Sequence, residues 1–233
     1  RLSRETRPTP FTVKVASPMI PPVPVIDEIR GQLAALEETG LLRRPHTLAP
    51  RDPVAMTLDG REVLVFCSND YLGLSDHPRL LAAVRDALDA HGLGSGASRL
   101  ICGTRPPHHD AERALARWVQ RPAALLFSSG YAANVGTLSA LLGRGDVAFS
   151  DQLNHASLID GLRLSRAHVQ VYRHRDLDHL EDLLRTQRTA GHRAWIVTDS
   201  VFSMDGDLAP LADLRALADR WDAGLYVDEA HAL

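Results

Sequence analysis

The chain has 233 residues, 45% of them hydrophobic, and a formal net charge of −3 at pH 7. That length suits one large domain or one and a half smaller ones, and the balance of charge offers no electrostatic reason to bind nucleic acid or an anionic membrane. Two cysteines make no disulfide framework, and no apolar run approaches the roughly 20 residues of a membrane span, so a soluble protein of the reducing cytoplasm is expected.

Residues 1–25 form a Pro-rich, Arg-bearing arm. Its prolines oppose an amphipathic targeting helix, and it lacks the continuous apolar core of a signal peptide, which leaves a flexible arm. The arm holds Lys14, the only lysine in the chain. Chemistry that needs a buried lysine therefore has no side chain for it from residue 15 onward. "VIDEIRGQLAALEETGLL" has apolar residues at helical spacing from Ile26 to about Leu36 and stops near Gly40. "VAMTLDGREVLVF" predicts two short strands joined at Asp59-Gly60. A helix is expected from Pro78 to about Ala90, then a glycine-rich loop, "HGLGSGASRLICG".

From Pro107 the pattern alternates. It predicts a helix to Val119, strand "AALLFSS", a helix from Tyr131 to Leu142, strand "DVAFS", a helix from about Ala156 and strand "HVQVYR". A helix from Leu177 to about Arg188, strand "AWIVTDS", a helix from Leu211 to Trp221 and strand "GLYVD" complete it. Regular alternation implies an α/β fold, a mostly parallel sheet with helices on both faces. The expected organisation is the arm at 1–25, a helix-and-hairpin segment at 26–77 and an α/β domain at 78–233.

Ligands of such sheets collect at the strand C-termini. Four polar groups fall there: Ser128-Ser129-Gly130, Asp151 to His155, Asp199 to Ser203, and Asp228 to His231. The last spells "DEAH", a metal-holding signature of one helicase class. That chemistry needs an upstream G-x-x-x-x-G-K-[ST] phosphate loop, which this chain lacks. "LLFSSGYAAN" has the strand–turn–helix form in which Gly130 admits a close backbone approach and a helix N-terminus favours phosphate. An ordinary strand–helix turn has the same form. "HGLGSGASR" follows a helix rather than a strand, so it is either a plain connection or a loop that lets backbone approach a ligand. His108-His109-Asp110 fits a solvated helix start, with no zinc-spaced partners, and no metal site is expected.

In order, "SNDYLGL", "GSGASR", "SSGYAAN", "LNHASLIDG", "VFSMDGDLAPL" and "VDEAH" together resemble the α-oxoamine synthases. These are fold-type-I pyridoxal-phosphate enzymes that condense an amino acid with an acyl thioester. The resemblance runs from about Ile26 to Leu233 and implies pyridoxal 5′-phosphate as cofactor. It places Asp228 beneath the ring, where a carboxylate keeps the ring nitrogen protonated, and His155 against the ring face. The backbone of Gly130 and Tyr131 matches the phosphate and ring cradle, Tyr131 standing where many relatives carry Phe. Ser203 and His231 match the residues that hydrogen-bond the phenolic oxygen. By this resemblance the catalytic set is His155, Asp228 and His231. Arg43 (with Arg44 an almost equal choice), Asn69 and His155 meet substrate.

Within the family, "SGASRLICGTR" and "LNHASLIDGLRLSRA" are most similar to the branch that joins L-alanine to a pimeloyl thioester of coenzyme A or acyl carrier protein, yielding 8-amino-7-oxononanoate for biotin synthesis. Glycine C-acetyltransferases come next, before other α-oxoamine synthases. The resemblance also implies a two-fold homodimer. The family's cofactor-bearing lysine and small C-terminal domain lie past the "DEAH" stretch, and residue 1 is Arg. The expectation is therefore an N-terminal fragment, inactive by itself. A non-catalytic partner subunit is the rival from another class.

Overall fold

The computed structural model describes residues 24–50, 54–188 and 191–233. The arm up to residue 23, with Lys14, lies outside the described residues. The chain divides into two compact units, residues 1–94 and 95–233. This division leaves the helix that begins at Pro78 with the first unit, whereas the sequence boundary at 78 groups it with the second.

The first unit opens with α1 (Pro24–Glu38). Gly40, at φ 70°, ends it in the left-handed conformation, and the N–H of Leu41 and Leu42 turn back to the Leu36 carbonyl. A three-stranded antiparallel sheet follows in the order β1 (Leu48–Pro50), β2 (Ala55–Leu58), β3 (Arg61–Leu64). Asp59 and Gly60, at φ 49° and 78°, make the two-residue turn that the Asp-Gly pair predicts. Strand β1 was not expected, because three residues are too few to show a period. Helix α2 (Pro78–His91) starts with proline in its first turn and with the His77 side chain accepting from the Arg79 N–H. No side chain of α1 or α2 is buried.

The second unit contains a π-helical turn at Arg99–Gly103 within the expected glycine-rich loop, then α3 (Pro106–Trp118) and α4 (Gly130–Leu141). It continues with β4 (Val147–Asp151), α5 (Ala156–Ser165), β5 (His168–Tyr172), α6 (Leu177–Gln187), β6 (Ala194–Asp199), α7 (Leu211–Arg220) and β7 (Ala223–Asp228). The strands form one parallel sheet in the order β5-β4-β6-β7. The strand expected at "AALLFSS" is corrected: no strand forms between α3 and α4. Side chains take its backbone groups instead. Glu112 accepts from the Leu126 N–H at 3.0 Å, and Arg99 donates to the Leu126 carbonyl at 3.2 Å. An apolar β-branched or aromatic run specifies a strand only where a ladder partner is present.

Alternation along the strands sorts the core into two layers. Val147, Phe149, Ala194, Ile196 and Ala223 pack with α6 and α7 residues such as Leu180, Leu184, Leu214 and Leu217. Ala148, Val197, Trp195 and Tyr226 face Leu138 and Leu142, in and just after α4, and Leu158 and Leu162 of α5. Phe149, Ile196, Leu138 and Leu158 are fully buried, each contributing roughly 1.5–3 kcal/mol of transfer free energy. Helices α4 and α5 approach closely at Gly161, where an added Cβ would lie 3.0 Å from the Asn134 carbonyl oxygen and from Leu138 Cδ1.

Candidate functional site

The C-terminal rim of the parallel sheet carries two polar clusters, one on each face. On the α4/α5 face, Asp228 ends β7 and stands in register with Asp199 at the end of β6. The Asp228 carbonyl accepts from both the N–H and the hydroxyl of Ser200, at 2.8 and 3.0 Å, which ties the two strand ends together. Asn154 stitches β4 to β6 beyond their ladder. Its amide donates to Ser150 Oγ and to the Val197 carbonyl and accepts from the Asp199 N–H.

Asp199 in turn accepts from the His155 N–H at 2.8 Å, and His155 caps α5. A carboxylate at a helix N-terminus is favoured by the free N–H groups there. Burial nevertheless pushes the Asp199 carboxyl above the usual carboxylate range. The His155 N–H opposes that shift, and the like charge of Asp228 adds to it.

A second line of hydrogen bonds joins His155 to Asp228. The Asn134 side chain, buried in α4, donates to Asp228 Oδ2 at 2.6 Å and to Ser157 Oγ at 2.8 Å. Tyr226 donates its hydroxyl to Asn134 Oδ1 at 2.9 Å. Ser157 Oγ lies 2.6 Å from His155 Nδ1. His155 Nδ1 also accepts from the Ser157 N–H at 3.3 Å, which leaves the imidazole proton on Nε2. The Ala230 N–H donates to Asp228 Oδ1 at 2.9 Å.

Beside this line α4 begins at Ser129, whose hydroxyl accepts from the Ala132 N–H. The N–H groups of Gly130 and Tyr131 donate to no acceptor among the described residues. The Tyr131 hydroxyl donates to Asp160 Oδ2 of α5 at 2.7 Å, and that carboxylate holds its pKa above the ordinary phenol value.

Of the residues singled out from sequence, the structure thus brings together Gly130, Tyr131, His155 and Asp228. His231 is half-buried in the turn just after Asp228, close enough to act on the Asp199 carboxyl. Ser203 is exposed in the turn after β6 and has no side-chain hydrogen bond to this cluster among the described residues. Arg43 and Asn69 belong to the first unit, where both are exposed. Arg44 donates to Glu37 at 2.5 Å.

Asn134, Ser157 and Tyr226 were given no role by sequence reasoning, which put Asp199 at the rim without assigning it one. Two had a legible signal. Asn134 is a lone amide in an apolar helix, and Tyr226 lies two residues before Asp228, hence on the same face of β7.

The opposite face of the rim holds His174, whose Nδ1 and Nε2 each lie 2.8 Å from a carboxylate, Asp151 Oδ1 and Asp207 Oδ2. Its ring packs edge-on against Phe202.

Residues 61–233 match the family model for aminotransferase class I and II. The chain is 54% identical over 203 residues to an 8-amino-7-oxononanoate synthase from Geobacter sulfurreducens, a match covering 87% of this chain and 52% of that relative. It spans about half the length of the curated relatives it matches. Among solved structures, serine palmitoyltransferase from S. paucimobilis with bound PLP and myriocin superposes with a TM-score of 0.82 at 29% identity, covering 90% of this chain and 53% of that one. An 8-amino-7-oxononanoate synthase from Francisella tularensis gives a TM-score of 0.57 at 32% identity over 70% of this chain and 43% of its own. The fold is the aminotransferase-like one of fold-type-I pyridoxal-phosphate enzymes.

Proposed function

The chain belongs to the class I and II aminotransferase family, and on that premise we propose that it forms the cofactor-binding part of an enzyme joining L-alanine to a pimeloyl thioester. The products are carbon dioxide, the free thiol of the acyl carrier and 8-amino-7-oxononanoate, on the route to biotin. The observation that carries the reading is the hydrogen-bonded line from His155 through Ser157 and Asn134 to Asp228, beside the open N-terminus of α4. The names borne by relatives above 50% identity favour this substrate pair.

The donor set fits pyridoxal 5′-phosphate. Asp228 offers a carboxylate held by one donor on each oxygen, with lone pairs left for a protonated ring nitrogen. The Gly130 and Tyr131 N–H groups suit a phosphate. When bound, the cofactor supplies an electron sink. Asp228 would keep the proton on the ring nitrogen, His155 would pack against the ring, and Ser203 and His231 would hydrogen-bond the phenolic oxygen.

Arg43 is assigned to the acyl carboxylate in preference to Arg44, whose guanidinium Glu37 already engages. Asn69 and His155 meet substrate. Residues 78–233 are the N-terminal part of the large domain, and the working enzyme is a cytoplasmic two-fold homodimer, tested by sedimentation at micromolar concentration.

The experiment is release of carbon dioxide from L-alanine by the full-length protein with pimeloyl thioester, wild type against Asp228→Asn. The variant is expected to bind the cofactor weakly and to lose nearly all turnover, because a neutral amide does not hold the ring nitrogen protonated. Wild-type turnover in Asp228→Asn overturns the assignment. Faster reaction with glycine and an acetyl thioester would place the protein with the acetyltransferases instead.

A further inference from the structure

The Asn134 amide can face Asp228 in only one sense. An ionised carboxylate accepts and does not donate, so the NH2 end must point at Asp228 Oδ2. Tyr226 enforces that sense from the other side. Its hydroxyl donates to Asn134 Oδ1 at 2.9 Å, so the amide oxygen is held toward Tyr226 and the NH2 toward Asp228. Tyr226 and Asp228 share one face of β7, so the strand sets the spacing between the residue that orients the amide and the residue the amide serves. The group is buried: Asn134 is 6% exposed. A mis-turned amide there would set oxygen against oxygen, in a place water does not relieve.

We propose that Asn134, with its amide oriented by Tyr226, is a positioning residue that holds the Asp228 carboxylate aimed at the ring nitrogen of pyridoxal phosphate. The inference rests on the assignment of Asp228 made above. A neutral donor fits this task where a cation does not. A lysine or arginine at this position would neutralise the carboxylate and compete with the ring nitrogen, whereas the amide fixes one oxygen and leaves the charge. The same amide reaches Ser157, and through it His155, so one side chain sets the register between the two groups expected to flank the ring.

The test uses the full-length protein and two probes, pyridoxal 5′-phosphate and its 1-deaza analogue, in which carbon replaces the ring nitrogen. Dissociation constants are measured by fluorescence quenching. Asn134→Ala is expected to weaken pyridoxal phosphate by about 10-fold and the deaza analogue by about 2- to 3-fold, since the part of the loss that passes through Asp228 needs the ring nitrogen, whereas the part that passes through Ser157 and His155 is common to both probes. Tyr226→Phe, which keeps the aromatic body and the packing, is expected to show the same preference at about 3-fold. Added to Asp228→Asn, the Asn134 substitution should weaken both probes equally, with no remaining preference between them.

Equal weakening of both probes by Asn134→Ala and Tyr226→Phe overturns the proposal and leaves Asn134 a packing residue. Asp228→Asn binding both probes as wild type does is a different failure: it removes the assignment of Asp228 itself.

Discussion

Replacing His174 with Asn should lower stability near pH 6 and remove a pH dependence above it. Both ring nitrogens lie 2.8 Å from carboxylate oxygens. Ionised carboxylates only accept, so the geometry asks for a proton on each nitrogen, an imidazolium. Burial opposes that charge, but the bonds to Asp151 and Asp207 outweigh it, and the His174 pKa is raised. Asp207 is correspondingly lowered, first by the His174 bond.

A histidine with a raised folded-state pKa contributes stability that is full below its unfolded value, about 6.5. That contribution is lost as pH rises through the folded value. Within the window the native state binds one proton more than the unfolded chain, so unfolding free energy falls by at most about 1.4 kcal/mol per pH unit. The Asp151 side chain is 1% exposed and that of His174 22%, so the bond between them contributes roughly 1–2 kcal/mol after partial screening.

The assay is urea unfolding of wild type and variant at pH 6, 7, 8 and 9. The wild-type advantage is expected to be roughly 1–2 kcal/mol at pH 6 and to shrink steadily above about pH 6.5. An advantage that stays constant or grows with pH would refute the imidazolium clamp.

Two further substitutions probe the α4/α5 layer that carries the site. Leu158→Ala removes a fully buried side chain one turn from the His155 cap and should cost about 2–5 kcal/mol in the same urea assay; a loss under about 1 kcal/mol would mean that the layer collapses around the cavity. Gly161→Ala gains about 1 kcal/mol of helix propensity but sets a methyl 3.0 Å from the backbone oxygen of Asn134. Overpacking of about 1–3 kcal/mol should win, lowering the unfolding midpoint and weakening pyridoxal-phosphate binding together; a more stable variant with unchanged binding would contradict the close approach.

The sequence by itself determined the elements of the second unit from α4 onward and the polar groups at their strand ends, because both are local. Helical spacing places α6 and α7, short apolar runs place β4 to β7, and in the first unit an Asp-Gly pair forces the turn between β2 and β3. The ordered motifs also named His155, Asp228, Gly130 and Tyr131, which the folded chain brings to one rim. What the sequence did not determine was anything that depends on a partner distant along the chain. "AALLFSS" has strand composition, yet Glu112 and Arg99 take the Leu126 backbone groups that a ladder would use.

Asn134 and Tyr226 are separated by 92 positions, and Asn134 and Asp228 by 94. Nothing in either local sequence says that they meet. Only the packing of α4 across the ends of β6 and β7 makes an amide in a helix the neighbour of a carboxylate on a strand. A buried hydrogen bond is specified by direction and distance, and those exist only once the layers have closed.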